Sequence, residues 1–317
     1  MSRKGALDRS MAMNIDVDRH LSFTMNTKLF PMIGCPMGQS SGSYGYNPLF
    51  EGNGIDEIMW PVEIPEGGLG DFVKAFKTLG MRHFTITMPH KSAIIPYLDV
   101  VEEHSRIFNS VNAVRVDEDG KLHGAGFDGK GNMAAILGAG VDVKGMHVTI
   151  IGAGSIVGVI LLCMAEHKAA KVTLINRSAD RAQKLIDTVR QHTSMEIEYL
   201  PYTTENLDRA AAQTDLLMQA TPQGLFGFPA DYEYLGFIDK LKPEAVVMEN
   251  IVNPPLTKFA ARAKANGHKM IYGVDMMLGQ LNEIFEFCFG FRPSAESVEK
   301  SRENVYRYFG LQSQQEN

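Results

Sequence analysis

The chain has little cysteine, no long apolar run and no excess of positive charge, and each absence excludes a class of protein. Its 317 residues include three cysteines, Cys35, Cys163 and Cys288, which lie far apart and lack metal-ligand spacing. We therefore expect neither a disulfide framework nor a metal site, and we interpret the cysteines as buried thiols. No apolar stretch approaches the roughly 20 residues that cross a membrane, so no membrane partner is expected.

The charge distribution also excludes a class of partner. The net charge is −6 at pH 7, and lysine and arginine are scattered along the chain. Nucleic-acid-binding proteins concentrate basic residues in patches or stripes, so we expect no nucleic-acid partner. Residues 1–26 carry charges throughout and lack the apolar segment of a secretory signal, which predicts an N-terminal extension and a cytoplasmic protein. Monomer and homodimer both remain open.

The patterning changes near Met146, which indicates two domains in a chain too long for one ordinary core. Earlier in the chain, β-strands are predicted to begin at Lys28, Asp56 and His83, and a hairpin is predicted around Asp119-Gly120. The segment 38–45, rich in Gly and Ser, is expected to be a loop. After Met146, short apolar strands alternate with helices, which is typical of a parallel sheet covered on both faces.

A glycine pair follows the first strand of this second region. The predicted strand ends at Ile151 and is followed at once by Gly152-Ala153-Gly154-Ser155. Glycine lets the backbone approach a pyrophosphate, and the N-terminus of the next helix offers free N–H groups. The third glycine of the usual fingerprint is displaced by one residue, to Gly158. A plain structural turn is the alternative, but the strand–loop–helix context favours a dinucleotide site.

The end of the following strand bears on the choice of cofactor. NAD-specific sites place Asp or Glu about 20 residues after the glycines. This chain has no acid there, and offers Asn176-Arg177-Ser178 with Arg181 one turn later. Neutral and cationic donors suit the 2′-phosphate of NADP. The two arginines are otherwise solvated residues at a helix start, so we predict NADP and keep NAD as possible.

Six short motifs occur in the order that they have in the shikimate/quinate dehydrogenase family. They are Thr85-Ile86-Thr87-Met88-Pro89-His90-Lys91, Ser110-Val111-Asn112-Ala113, Gly124-Ala125-Gly126-Phe127-Asp128-Gly129, Asn176-Arg177-Ser178, Gln219-Ala220-Thr221-Pro222-Gln223-Gly224 and Gly273-Val274-Asp275-Met276-Met277-Leu278-Gly279-Gln280. The chain resembles this family from about Leu29 to Gly290.

The resemblance implies an α/β fold of two domains. An N-terminal α/β substrate and catalytic domain spans residues 27–129 and is completed by the C-terminal helices of residues 274–317. A Rossmann-like NADP-binding domain spans residues 130–273, and the active site lies in the cleft between the two domains.

The resemblance also implies the chemistry, which is hydride transfer between NADP and a ring hydroxyl or ketone. Such a transfer requires a proton to move at the oxygen, and Lys91 and Asp128 are the implied catalytic pair. Whether Lys91 moves the proton or only stabilises charge is left open. The implied substrate-binding residues are Ser40, Gly42, Thr87, Asn112 and Gln280. The implied cofactor-binding residues are Gly152, Ala153, Gly154, Ser155, Asn176, Arg177, Ser178, Arg181, Thr221, Gly273 and Met276.

The departures from the family pattern lie where the substrate is held. Of two serines that hold the substrate carboxylate in the family, one is kept as Ser40 and the other is Gly42. Asparagines that read substrate hydroxyls become Thr85 and Gly126. A missing hydrogen-bond partner costs on the order of tenfold or more in discrimination. We therefore expect a different small cyclic hydroxy or keto substrate.

The changed pocket leaves several interpretations. Three aromatic side chains are expected to pack against a less polar substrate, namely Tyr44, Tyr46 and Phe127. A true shikimate or quinate dehydrogenase with an unusual pocket is one alternative. A catalytically silent, nucleotide-binding regulatory protein is another, although such a protein has no need of Lys91, Asp128 and Gln280 together.

Overall fold

The first half of the chain forms one six-stranded mixed sheet. The computed structural model describes residues 24–37 and 40–311. The strands are β1 (Lys28–Gly34), β2 (Glu57–Glu63), β3 (His83–Ile86), β4 (Val100–Val101), β5 (Ala113–Val116) and β6 (Leu122–Ala125), in the spatial order β2-β1-β3-β5-β6-β4. β1 runs parallel to β2 and β3, whereas β5 and β6 form the predicted antiparallel hairpin. The carboxyl ends of β1 and β3 therefore lie at the same sheet edge.

Four helices accompany this sheet, and the first of them corrects a prediction. They are α1 (Gly42–Gly52), α2 (Leu69–Thr78), α3 (His90–Ala93) and α4 (Glu103–Phe108). The segment 38–45 was expected to be a loop, but α1 begins at Gly42; residues 38 and 39 lie outside the described ones. Glycine serves close packing here, because a Cβ on Gly45 would lie 2.3 Å from Leu281 Cδ1.

The second half forms a fully parallel sheet. Its strands are β7 (His147–Ile151), β8 (Lys171–Asn176), β9 (Glu196–Pro201), β10 (Leu216–Gln219), β11 (Val246–Glu249) and β12 (Lys269–Ile271), in the order β12-β11-β10-β7-β8-β9. The accompanying helices are α5 (Asp128–Gly138), α6 (Val157–Glu166), α7 (Ala179–Arg190), α8 (Thr204–Ala211) and α9 (Lys258–Ala265). The strand order reverses between β7 and β10, and ligands of such sheets bind at the carboxyl ends beside that point.

Two C-terminal helices return to the first sheet, as predicted. α10 (Gly273–Phe289) and α11 (Ala295–Tyr308) pack on it, and Leu281 and Phe285 share a core cluster with Phe30 and Phe50. α10 also packs along α5, which joins the two halves of the chain. The α/β fold with two sheets is thereby confirmed. The domain limits at residues 27, 130 and 274 stay a prediction, which this division of the strands supports.

The N-terminal extension predicted over residues 1–26 lies almost wholly outside the described residues, which begin at Thr24. The hydroxyls of Thr24 and Thr27 donate to the Asp56 carboxylate at 2.7 and 2.6 Å, which holds the start of β1 beside β2. Within residues 24–37 and 40–311, the helices are each too short or too polar to span a bilayer.

A close contact between α4 and α6 explains the displaced glycine of the fingerprint. A Cβ on Gly158 would lie 2.1 Å from Phe108 Cε1, so a hydrogen is the largest side chain that fits. Phe108 ends α4 and Gly158 stands in the first turn of α6. The glycine therefore admits an aromatic ring from the other half of the chain, in addition to any role in helix–strand packing.

We expect Gly158→Ala to destabilise the protein although alanine is the better helix former. The new methyl group overlaps the Phe108 ring, and such overpacking costs about 1–3 kcal/mol. Gly138→Ala at the end of α5 is the matched control, because a Cβ there meets nothing within 4 Å and should stabilise by up to about 1 kcal/mol. Urea unfolding of both variants measures the difference; equal midpoints would contradict the prediction.

Candidate active site

A lysine and an aspartate that are distant in sequence meet at the edge of the first sheet. Lys91 lies in α3, one short turn beyond β3, and Asp128 is the first residue of α5. The Lys91 ammonium donates to both carboxylate oxygens of Asp128, with Nζ–O distances of 3.0 and 2.8 Å. The side chains are 23% and 11% exposed, so the pair is shielded yet open on one side. Two of the three ammonium protons are engaged, which leaves one for a ligand.

Asp128 is held by two further donors. Gln280 Nε2, from the middle of α10, donates to Asp128 Oδ1 at 2.7 Å, and Asn112 Nδ2 donates to the same oxygen at 3.3 Å. The Asn112 amide is itself fixed, because its Oδ1 accepts the backbone N–H of Phe127 at 3.0 Å. The structure thus brings together Lys91, Asp128, Asn112 and Gln280 from four separate elements, around one carboxylate.

The other residues expected to bind substrate lie at the same sheet edge. Thr87 follows β3 directly, and its backbone N–H donates to the Ile33 carbonyl at 2.8 Å. Ser40 and Gly42 follow β1. The Ser40 hydroxyl already donates to Met32 Sδ at 3.2 Å. Gly42 opens α1 and cannot gain a side chain freely, because a Cβ would lie 2.8 Å from Met32 Sδ.

Methionine sulfur surrounds this segment, which the sequence did not indicate. Besides Met32, Met59 Cε lies 2.7 Å from the position of a Gly42 Cβ, and Met277 Sδ accepts the Ser41 hydroxyl at 3.4 Å. Thioether side chains are apolar, polarisable and adaptable in shape. These methionines come from β1, β2 and α10, so no local motif could have signalled their convergence.

Two of the three aromatic side chains expected to pack against a substrate are buried in the core instead. Tyr46 is 1% exposed and packs on Phe30, with ring centroids 5.2 Å apart, and Phe127 is 3% exposed in the same core cluster. The prediction is wrong for Tyr46 and Phe127 because both fill the core between the first sheet and the C-terminal helices. Tyr44 is half-buried, and its ring packs on Tyr308 of α11 at 4.4 Å.

The glycine loop after β7 has the geometry of a cradle for a dinucleotide. Gly152 has a φ of 121°, and a Cβ there would lie 2.5 Å from the Ala220 carbonyl oxygen. Both facts require glycine. Gly154 leaves open space, with the nearest atom 3.9 Å from its Cβ position. Ala153 and Ser155 complete a loop that leads into the N-terminus of α6, where unpaired N–H groups suit a pyrophosphate.

The residues at the end of β8 have two different roles: some make local hydrogen bonds, and others present exposed positive charge. Asn176 Nδ2 donates to the Ser178 carbonyl at 2.9 Å, and Ser178 Oγ caps α7 by accepting the Arg181 N–H at 3.3 Å. The Arg177 and Arg181 residues are exposed at this sheet edge. The small polar residues therefore shape the turn, whereas the guanidinium groups face outward, where a 2′-phosphate can reach them.

The remaining cofactor candidates lie at the ends of β10 and β12. Gln219 Nε2 donates to the Thr221 carbonyl at 3.0 Å, which builds the turn that carries Thr221. Gly273 begins α10, and a Cβ there would lie 2.2 Å from the Ile251 carbonyl oxygen, so glycine is required. Met276, one turn into α10, packs partly against the core of the second sheet.

Comparisons with known proteins agree with this architecture. Residues 32–114 match the family model of the shikimate dehydrogenase substrate binding domain, and residues 133–226 match that of shikimate / quinate 5-dehydrogenase. A shikimate dehydrogenase (NADP(+)) from Alkaliphilus oremlandii is 33% identical over 83% of this chain and 92% of its own length.

Solved structures give the same picture at the level of the fold. Shikimate 5-dehydrogenase from Listeria monocytogenes, in complex with shikimate and NAD, has a TM-score of 0.79 at 26% identity, covering 88% of this chain and 97% of its own. The 5-ketofructose reductase of a Gluconobacter strain, in ligand-free form, has a TM-score of 0.77 at 28% identity, covering 89% and 100%. From its motifs, its fold and these relatives, the chain belongs to the shikimate/quinate dehydrogenase family of oxidoreductases.

Proposed function

We propose that the protein is an NADP-dependent dehydrogenase that interconverts a hydroxyl and a ketone on a small cyclic compound. The observation that carries the proposal is the Lys91–Asp128 contact, in which both Nζ–O distances are at or below 3.0 Å. The pair is partly exposed and lies next to the half of the chain that contains the glycine loop. An ammonium with a free proton, held by a buried carboxylate, is suited to proton transfer at a substrate oxygen.

Each residue of the cluster has a distinct part in this mechanism. During reduction the Lys91 ammonium donates a proton to the ketone oxygen and becomes a neutral amine, and during oxidation the neutral amine takes the hydroxyl proton. Asp128 orients Lys91 and keeps its charge balanced within the site. Asn112 and Gln280 fix the carboxylate, and the Gln280 amide oxygen remains available to a substrate hydroxyl. Ser40, Gly42 and Thr87 line the substrate side at the ends of β1 and β3.

NADP fits the residues present and supplies the hydride acceptor when bound. The glycine loop Gly152–Ser155 and the N-terminus of α6 would hold the pyrophosphate, with Thr221, Gly273 and Met276 nearer the nicotinamide end. Asn176 and Ser178 shape the turn that presents Arg177 and Arg181 to the 2′-phosphate. The name of the Alkaliphilus relative supports NADP, whereas the Listeria complex with NAD keeps NAD possible.

We propose that the substrate is not shikimate. Ser40 already donates to a thioether and Gly42 carries no hydroxyl, so these two positions offer few donors for a carboxylate. A similar structure is named 5-ketofructose reductase, which supports a fold that accommodates more than one substrate. A less polar or uncharged cyclic hydroxy or keto compound suits a surface beside the partly buried thioethers of Met32 and Met277.

The test of this proposal is reduction of NADP and NAD, followed by absorbance, with shikimate, quinate and a panel of cyclic alcohols. We expect kcat/KM for a compound without a carboxylate to exceed that for shikimate by roughly tenfold or more. Efficient turnover of shikimate or quinate would refute the substrate assignment and make the protein an ordinary family member. No turnover across the panel, with NADP still bound, would favour a regulatory protein.

We also propose a cytoplasmic location and a monomer or homodimer. The three cysteines are unpaired, which is usual for proteins of a reducing compartment. Sedimentation equilibrium at micromolar concentration distinguishes the two oligomeric states.

A further inference from the structure

The face of α6 that is turned toward α4 gathers three potential metal ligands. Cys163 and Glu166 lie three residues apart in α6 and so share a face, and His104 comes from α4 in the first half of the chain. Within residues 24–37 and 40–311, one group of three His, Cys, Asp or Glu side chains has donor atoms all within 4.8 Å of one another, and it is this one.

The contact between the two helices is fixed at a second point. Phe108 packs on Gly158 at the N-terminal end of α6, and His104, one turn earlier in α4, reaches Glu166 at its C-terminal end. The helices therefore run antiparallel, and the backbone separation is set by the Phe108–Gly158 contact. This packing brings the backbone positions of the three residues together, while the Glu166 side chain itself is 57% exposed.

The spacing matches what a tetrahedral zinc ion needs. With Zn–N of 2.0–2.1 Å and Zn–O of 2.0–2.2 Å, tetrahedral angles place the two donor atoms roughly 3.3–3.5 Å apart. His104 Nε2 and Glu166 Oε1 are 3.3 Å apart. With zinc at about 2.3 Å from a thiolate sulfur, that sulfur lies about 3.5–3.6 Å from the other two donor atoms. The Cys163 sulfur lies within 4.8 Å of both, so it must approach by up to about 1.3 Å. Nitrogen, sulfur and oxygen donors together suit Zn²⁺, and not Ca²⁺ or Mg²⁺.

A cavity gives this group access and a fourth ligand. The cavity has a volume of about 320 Å³ and is lined by His104, Glu166 and, from the loop after α7, His192. An ion can enter from solvent through it, and a water molecule can take the fourth position. Cys163 lies on the buried side of the group, 3% exposed.

We propose that His104, Cys163 and Glu166 form a zinc-binding site that joins α4 of the first half of the chain to α6 of the second. Binding forms an S–Zn bond and releases the thiol proton to water. Such a bridge would fix the angle between the two helices and with it the opening of the cleft. The proposal revises the expectation of no metal site, which considered only sequence spacing.

The test uses Co²⁺ as a coloured substitute for Zn²⁺, added to the metal-free full-length protein. We expect one Co²⁺ per chain with a thiolate-to-cobalt charge-transfer absorption, which equimolar Zn²⁺ removes by competition. His104→Ala and Glu166→Gln change partly exposed side chains and should weaken binding at least about tenfold with the fold intact. Cys163→Ser should abolish the absorption. Cys35→Ser, which removes a thiol elsewhere, is the matched control and should change neither the Co²⁺ affinity nor the absorption.

Several results would overturn the proposal. The first is the absence of the charge-transfer absorption in the wild-type protein. The second is a Co²⁺ affinity in His104→Ala and Glu166→Gln equal to that of the wild type. The third is loss of the absorption in Cys35→Ser. The readouts are independent of dehydrogenase activity, so the zinc site and the proposed reaction can fail separately.

Discussion

Lys91→Ala is expected to lower kcat at least about 100-fold while leaving the Kd of NADPH unchanged. Proton transfer by a positioned side chain contributes roughly 100- to 10,000-fold to an enzymatic rate. Lys91 is placed for this role by the two contacts with Asp128, and it lies in α3 of the first half of the chain, apart from the glycine loop. Steady-state kinetics with the best substrate of the panel, together with fluorescence titration of NADPH, measures both quantities.

Two further variants make the result specific. Asp128→Asn keeps the size of the side chain but removes the charge that orients Lys91, so it should also reduce kcat, with NADPH binding intact. Lys74→Ala, on the exposed face of α2, removes an equal charge far from the pair and should leave kcat unchanged. If Lys91→Ala retains kcat within about threefold of the wild type, general acid–base catalysis by this residue is excluded.

The fold was predictable wherever local pattern and tertiary packing agree. The hairpin β5–β6 forms around the predicted Asp119-Gly120 turn, and β7 ends at Ile151 as predicted, because all four of its β-branched residues are buried. β9 (Glu196–Pro201), α8 and α9 are six to eight residues long and mix charged with apolar residues, and patterns this short escaped prediction. The segment 38–45 misled because glycine there permits close packing rather than a loop.

The site was predictable only as far as its motifs reach. Lys91, Asp128, Asn112 and Gln280 were named from short motifs, and the structure brings all four together. The residues that surround the substrate could not be predicted from motifs in the same way. Aromatic residues near a motif were assigned to the pocket, yet Tyr46 entered the core, since only the packing of α10 and α11 decides which face of α1 is buried. The methionines around Gly42 come from distant segments, as does His104 relative to Cys163 and Glu166, and sequence spacing carries no signal for these contacts.

In the turn between β8 and α7, mutations can separate residues that stabilise the structure from residues that recognise the cofactor. Ser178 caps α7 through its hydroxyl, so its loss should cost about 1 kcal/mol of stability and affect both cofactors alike. The guanidinium groups of Arg177 and Arg181 lie on the exposed side of the same turn and make no part of the cap. Their replacement therefore isolates the contribution of charge.

Replacing Arg177 and Arg181 together by alanine should abolish most of the preference for NADP over NAD. A hydrogen bond to a charged group contributes about 1.5–3 kcal/mol, so the loss of even one guanidinium–phosphate contact weakens NADP binding roughly 10- to 100-fold. NAD carries no 2′-phosphate, so its affinity should stay the same. Titration of both cofactors measures the ratio, with Lys184→Ala, an exposed charge further along α7, as the control. An equal loss for both cofactors would instead place the arginines against the pyrophosphate, and no loss for either would place the 2′-phosphate elsewhere.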